Sequence, residues 1–560
     1  MRTDHFVKFV LIHAVVFSAI GQLHAGEGVL IGHWRLAGDT NDATGNNRRS
    51  ENHGADLTAP GPDGQANGAA RFDGRKAFIE VPSQDDLNLG ADDFTLAVWV
   101  YTEERLDDAL GDILSKFDPA ARRGINWCIR NSSGTSGSQS NYRNVHFGVD
   151  SGTEPKWTDY GRPGNAVYVT AMAVHNGELF AGTCEAKEGE TGHVYMHAGG
   201  ERWIDCGSPD GSNAVMVLAT HGGKLYAGTA RYNLSGSALP QSPNVTAGGK
   251  VFRYEGDGRW TDCGKLGDSD SVGGLVVYRG ELYGTSLYRP AGMFRYAGGT
   301  QWVACSLPKD GRRVVSPAVF NGHLYAGTFD GCAIYRFDGE SWSDAVELEP
   351  SGQTYSLEVH AGELCVGTWP SGRVYRSSDG AKWKDAGRLG AEAEVMGMAV
   401  HNGKLYGGTL PLAEVYRFEA NEAWQLTGRL DHTPDVRYRR AWSMAVHGGR
   451  LYCGTLPSGH VHAMTAGVSV THDRELLPGW RHLAAVRQGN RVTMYVDGEV
   501  VAVSEPTSNA SLDLSNDEPL HIGLGEHDYF RGSLSDLRLY RGALSMQEIA
   551  DLTERAAATR

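Results

Sequence analysis

The sequence predicts an all-β protein: a seven-bladed β-propeller over residues 155–467, set between two further stretches of short strands. Three observations predict it. One short phrase recurs seven times between Met172 and Thr455. Each copy is followed by more strand and turn signals, and strands of a different pattern fill residues 26–154 and 468–560. Glycine, at 74 residues, supplies the turns that such a chain requires.

The phrase is an apolar run, a Gly turn and then Leu-aromatic-x-Gly-Thr, as in MAVHNGELFAGT, with Cys at the aromatic position in one copy and one residue fewer in the copy that ends at Thr285. Its copies end at Thr183, Thr229, Thr285, Thr328, Thr368, Thr409 and Thr455. Successive threonines lie between 40 residues apart (Thr328 to Thr368) and 56 (Thr229 to Thr285). That period belongs to propellers and solenoids. The apolar run suits an inner strand buried between neighbours. Asn-Gly or Gly-Gly between apolar flanks closes a tight hairpin, because both residues tolerate positive φ. A third strand follows, as in Val251–Tyr254 and Val415–Phe418, and a fourth opens on Trp203, Trp260, Trp302, Trp342, Trp383 or Trp424. The segments are too short and too rich in Gly for helices. No Trp strand follows the seventh phrase, but Lys156-Trp157-Thr158-Asp159 matches it upstream of the first. The ring is therefore expected to close by borrowing an N-terminal strand, which removes an open sheet edge.

The flanks carry ordered landmarks. Before the repeats stand Trp34, Phe72-Asp73-Gly74 and the strand Phe94-Thr-Leu-Ala-Val-Trp-Val100. After them come Trp480-Arg-His-Leu-Ala-Ala-Val486, a hairpin turning on Asp497-Gly498, and Phe530-Arg-Gly-Ser-Leu-Ser-Asp-Leu-Arg-Leu-Tyr540. Ser545-Met-Gln-Glu548 is a capping box opening a short helix from Met546 to about Thr553. As a set these residues resemble the LamG-like jelly roll of the concanavalin A-like lectin/glucanase superfamily. The resemblance implies one discontinuous sandwich, 26–154 and 468–560, interrupted where that family has a turn between adjacent strands. The propeller is similar to Kelch and sialidase-type propellers in blade design only. A ring closed by its own ends brings those ends together, so it can replace a loop tip.

Residues 1–25 read as a secretory signal peptide, with Arg2 and Lys8 ahead of an apolar stretch from Phe9 to Ile20 and a small residue at Ala25. The mature protein is then extracellular, cell-surface or periplasmic, with no transmembrane segment after cleavage. A net charge of −15 without a basic stripe argues against nucleic acid as a partner. Eight cysteines in 560 residues do not make a disulfide framework. Cys206 and Cys263 occupy equivalent positions in successive blades and read as small buried apolar groups.

Three groups of residues are candidates for binding. Arg313, Gln353, Glu394 and Arg440 stand at equivalent points just before inner strands, where they would face the central funnel as a polar patch able to hold a ligand. They would serve equally as solvated charges at a funnel mouth. Tyr288, Phe329 and Trp369 follow the Gly-Thr of their blades, where aromatic rings either form a sugar-stacking platform or wedge neighbouring blades apart. Asp39, Asn41 and Asp42 are the densest oxygen cluster of the jelly roll, and the resemblance implies calcium (Ca2+) on such a loop; a self-capped turn has the same composition. The loop from Ala230 to Gly249, long, polar and rich in Pro and Gly, is either a functional lid or a flexible insertion.

Two enzymatic patterns are incomplete. The Glu-x-Asp-x-x-Glu of jelly-roll glucanases begins at Glu255 and Glu526 but ends on Trp260 and Arg531. A sialidase-like arginine cluster would need a third arginine beside Arg313 and Arg440. The expectation is therefore an exported, non-catalytic, lectin-like protein that binds a polysaccharide or glycoconjugate, or an envelope protein partner. The alternatives are a glycosidase or polysaccharide lyase with its site in the funnel, and a protein-interaction scaffold.

Overall fold

Strand Asn144–Ser151 pairs antiparallel with strand Val468–His472, with Val149 opposite Val468 and Val145 opposite His472. The whole repeat region therefore leaves and re-enters the molecule at neighbouring strands of one sheet. The computed structural model describes residues 28–46, 48–506 and 512–557, and the expected signal peptide lies outside them.

The host is a two-sheet sandwich. One sheet runs Asp56–Ala59, Ala69–Asp73, Arg531–Arg541, Phe94–Thr102, Gly479–Gln488, Arg491–Val496 and Glu499–Val503, with Val29–Trp34 also paired to Arg531–Arg541. The other runs Glu51–His53, Phe78–Val81, Leu520–Ile522, Gly111–Asp118, Arg123–Arg130, Asn144–Ser151 and Val468–His472. Alternate residues of both sheets turn inward, so Trp34, Phe72, Phe94, Trp127, Phe147 and Phe530 fill one core. Helix Met546–Ala557 runs past the expected Thr553 and lies on the outer face of the first sheet. Its capping box forms: Glu548 N–H donates to Ser545 Oγ (3.3 Å), and Ser545 N–H donates to Glu548 Oε2 (2.8 Å).

The inserted region folds into seven four-stranded units whose inner strands are Tyr168–His175, Ala214–His221, Val272–Tyr278, Val315–Phe320, Gln353–His360, Glu394–His401 and Arg440–His447. We number these blades 1 to 7. The outermost strand of blade 7 is Lys156–Asp159, paired with Val461–Thr465, so the ring closes as the repeats predict.

Tryptophan indoles join the outer strands. Trp203, Trp260, Trp302, Trp342 and Trp424 each donate Nε1–H to a backbone carbonyl of the preceding blade, at 2.8–3.0 Å. Trp157 donates to Thr427 Oγ1 at 3.3 Å. Blade 4 departs from expectation: Trp342 makes only an isolated bridge with Phe337, and the outer strand is the short Val346–Glu347. All eight cysteines are free.

The segment 131–143, between sandwich strands Arg123–Arg130 and Asn144–Ser151, enters the central channel of the propeller. It bonds the inner strand of every blade. Val174 N–H donates to Ser140 O (2.9 Å), Gln139 N–H to Leu218 O (3.0 Å) and Leu275 N–H to Gly137 O (2.9 Å). Val319 N–H donates to Ser133 Oγ (3.4 Å) and Leu357 N–H to Gly134 O (3.2 Å). Thr135 Oγ1 donates to Met398 O (3.1 Å), Ser136 Oγ to Trp442 O (3.2 Å) and Asn141 Nδ2 to Val446 O (2.8 Å). Inner strands are sheet edges with unpaired backbone groups, and small Ser, Gly and Asn residues satisfy those groups without filling more space than the channel has. The sandwich therefore plugs one end of the channel and leaves a funnel at the other.

Candidate functional site: the propeller funnel

The chain enters every blade at the same rim. Gln353, Glu394 and Arg440 are the first residues of their inner strands, and Arg313 lies two residues before its own. The second strand ends at that rim just after its Gly-Thr in six blades, and at Gly327 in blade 4. Gln353 pairs with Trp369, Glu394 with Leu410 and Arg440 with Leu456. The two residue sets that the sequence separates, funnel and loop face, thus line a single cavity of about 360 Å³. Arg313, Gln353, Glu394, Arg440, Tyr288, Phe329 and Trp369 all contribute to it.

The sequence reading missed the floor. Tyr355 and Trp442 stand two residues after Gln353 and Arg440, on the same strand face, so period-two spacing was the available signal. Rings run in contact across the site: Phe329–Tyr355 at 4.8 Å, Tyr355–Trp442 at 6.1 Å, Trp442–Tyr168 at 5.4 Å and Tyr168–Tyr232 at 5.6 Å. Trp369 is 37% exposed at the rim. Phe329 and Tyr288 also pack between elements, so they wedge and line at once.

Both arginines have internal partners. Arg313 binds Asp330 through Nε and Nη2, the latter at 2.7 Å, and Arg289 approaches the same carboxylate at 3.2 Å. Burial alone would raise the Asp330 carboxyl, but the hydrogen bonds from Arg313 hold it below its ordinary value. Arg440 Nη2 lies 3.8 Å from Glu394 Oε2, and Arg440 Nη1 donates to Ser237 Oγ at 2.7 Å. The Arg440 guanidinium also lies 5.6 Å from the Trp442 ring centroid. Burial pushes the Glu394 carboxyl up, against the pull of Arg440. Glu394 Oε1 and the Tyr168 hydroxyl are buried without hydrogen-bond partners among the described residues.

The long loop after Ala230 forms the wall opposite Trp369. Asn213 clamps Tyr232 by two backbone bonds, accepting from its N–H (2.7 Å) and donating to its carbonyl (2.9 Å). Asn233 caps the short turn Leu234–Ser237, accepting from Ser235 N–H at 3.1 Å. Tyr288 OH accepts from Asn233 N–H at 3.1 Å. The loop is a built wall whose Ser237 reaches Arg440 of blade 7.

The acidic turn of the sandwich does not fit calcium. Asp42 accepts hydrogen bonds from His33 N–H (3.0 Å), Thr44 N–H (3.0 Å) and Thr44 Oγ1 (2.9 Å), and it is ion-paired to the buried Arg48. Asp39 caps Asn41 N–H at 2.9 Å. A guanidinium stands where a cation would, so Asp39, Asn41 and Asp42 form a self-capped turn. Among the described residues no three His, Cys, Asp or Glu side chains converge as a metal site.

Residues 432–550 match the family Laminin_G_3, Concanavalin A-like lectin/glucanases superfamily, a stretch running from the last blade through the second part of the sandwich. A search of curated protein sequences finds no match. Among solved structures the chain is similar to a streptogramin B lyase, with a TM-score of 0.45 and 10% identity over 56% of this chain and 98% of that one. Virginiamycin B lyase from Staphylococcus aureus gives a TM-score of 0.43 and 10% identity over 56% and 99%. The GH74 xyloglucanase from Xanthomonas campestris gives 0.38 and 15% over 59% of each chain. At these scores the likenesses say nothing about chemistry.

Proposed function

We propose that the propeller funnel binds a neutral carbohydrate, and that the protein is an exported glycan-recognition protein without catalysis of its own. The observation that carries this reading is the cavity itself. A contiguous aromatic floor offers faces for sugar rings, while both arginines that line the cavity are matched by internal carboxylates; the exposed Arg289, which shares Asp330 with Arg313, does not line it. Glu394 Oε1, Gln353 and the tyrosine hydroxyls supply the few polar groups that would orient hydroxyls. Export rests on the leader read at residues 1–25.

A second reading makes the funnel an active site of a glycosidase or lyase. Glu394 favours it: a buried carboxyl with a raised pKa beside a cation is suited to general acid chemistry.

Calorimetric titration with neutral and acidic soluble polysaccharides, with reducing ends and new unsaturation assayed in the same samples, separates the two. Saturable binding of a neutral glycan without product, weakened in Trp369→Ala, supports recognition. Product formation that Glu394→Gln abolishes makes the protein an enzyme. Binding of neither class overturns both readings and leaves a protein partner.

A further inference from the structure

We propose a second carbohydrate site on the outer face of the sandwich, centred on Tyr101 and Trp480. The strand register puts five residues in one row across five strands. Asp56 pairs with Arg71, Arg71 with Ser533, Ser533 with Tyr101, and Tyr101 with Trp480. Directly paired residues of an antiparallel sheet share a face. The neighbours in sequence, Ala70, Phe72, Leu534 and Val100, are fully buried in the core, so the row faces outward.

Most of that outer face is covered. Ala97, Ala484 and Tyr495 pack under Leu544, Ile549 and Leu552 around the C-terminal helix. Trp99 is shielded by His482, 5.3 Å away, whose Nδ1 lies 2.9 Å from Thr553 Oγ1 on the helix. Beyond this the cover stops. Tyr101 and Trp480, with ring centroids 5.5 Å apart, remain half-exposed and line a cavity of about 420 Å³ together with Asp56, Thr58, Arg71 and Glu103. Two aromatic rings tilted 53° to one another, flanked by side chains that donate and accept hydrogen bonds, form a notch that suits a ring bearing hydroxyls. Arg71 is itself bonded to Glu103 at 2.8 Å, so the lining has no spare cation for an acidic sugar. The row spans four inter-strand spacings, about 19 Å, which suits a length of chain rather than a single sugar. The occupant is a neutral polysaccharide. A chain held both here and in the funnel would gain from its effective concentration at the second site.

This inference rests on the proposed reading for the class of ligand, not for the location. The test uses the whole protein and a soluble neutral glucan, with alginate as the acidic control, in affinity electrophoresis and calorimetry. Tyr101→Ala and Trp480→Ala are each expected to weaken glucan binding roughly tenfold, the scale of a lost stacking contact, and Trp480→Phe to restore most of it. An unchanged unfolding midpoint shows that the variants fold. If Tyr101→Ala/Trp480→Ala binds as the parent does while Trp369→Ala is weakened, the second site is overturned and the funnel reading stands. If the parent binds no glucan, both fall.

Discussion

Arg440 and Glu394 open the inner strands of adjacent blades and meet 3.8 Å apart in the lining of the funnel, both buried, with Glu394 Oε1 lacking a hydrogen-bond partner among the described residues. Removing one partner leaves the other as an uncompensated buried charge. Glu394→Ala and Glu394→Gln both remove the carboxylate charge, so each should cost on the order of 3 kcal/mol in denaturant unfolding. A Glu394→Gln variant as stable as the parent would show that the pair is not electrostatically coupled.

The channel plug is held by close backbone approach. A Cβ at Gly137, whose φ is 84°, would lie 2.3 Å from Gly273 O on blade 3. Gly137→Ala should therefore destabilise the protein by about 3 kcal/mol or more. Gly311, with φ of 71° and open space around its Cβ position, is the control. Gly311→Ala should cost only about 1 kcal/mol, the conformational term alone. Urea unfolding of the two variants side by side decides it.

The tryptophan joints between blades are not equivalent. Trp260 Nε1 donates to Cys206 O at 2.8 Å, whereas Trp383 Nε1 is buried without a partner among the described residues. Phe in place of Trp keeps the apolar contact and removes the donor. Trp260→Phe should cost about 1 kcal/mol more than Trp383→Phe, because it orphans a carbonyl that Trp383→Phe does not. A reversed order of midpoints would refute this.

Two buried histidines couple domain docking to acid. His146 of the sandwich and His401 of blade 6 pack edge-to-face at 5.7 Å. Burial, reinforced by Arg130 and Lys404, pulls His146 down to about 3, and burial with His146 and Lys404 holds His401 well below its ordinary value. Lys404 is in turn paired with Asp150, and Asn402 faces His146. Unfolded imidazole titrates near pH 6.5. Since the folded values are depressed, the stability carried by the neutral rings is full above about pH 6.5 and is lost as pH falls toward about 3. Nearby Asp112 and Glu358, raised by burial to about 7, work in the opposite sense, so the comparison must isolate the rings. Relative to His146→Gln/His401→Gln, the parent should lose up to about 2 kcal/mol per ring between pH 7.5 and pH 5. Parallel pH profiles would mean that the rings are already solvated.

How much of this was legible depends on how local each signal is. Asn176-Gly177 and Asp497-Gly498 announce hairpins because positive φ is a property of those residues themselves, and both Asn176 and Asp497 adopt it. Lys156-Trp157-Thr158-Asp159 could be assigned to the last blade because a ring with one strand missing and one to spare has one solution. Asp39, Asn41 and Asp42 were ambiguous in the sequence because the same oxygens that attract a cation also cap turns. The residue that decides between the two, Arg48, becomes relevant only when the chain folds back on Asp42.

The sequence by itself determined the repeat and the closure of the ring, which follow from strand period and turn chemistry that each segment carries alone, while the interruption of the sandwich was implied by the resemblance of the two flanks to one jelly roll. Only the tertiary structure decided which polar groups meet. Segment 131–143 is composed like any Ser/Gly linker, and its partners exist only once seven inner strands converge around it. The pairing of Arg313 with Asp330, the meeting of Arg440 with Glu394, and the row from Asp56 to Trp480 likewise depend on register and ring closure. Those relations set the charge of the funnel and the outward face of the sandwich, because an electrostatic or stacking contact is fixed by distance in space and not by spacing in the chain.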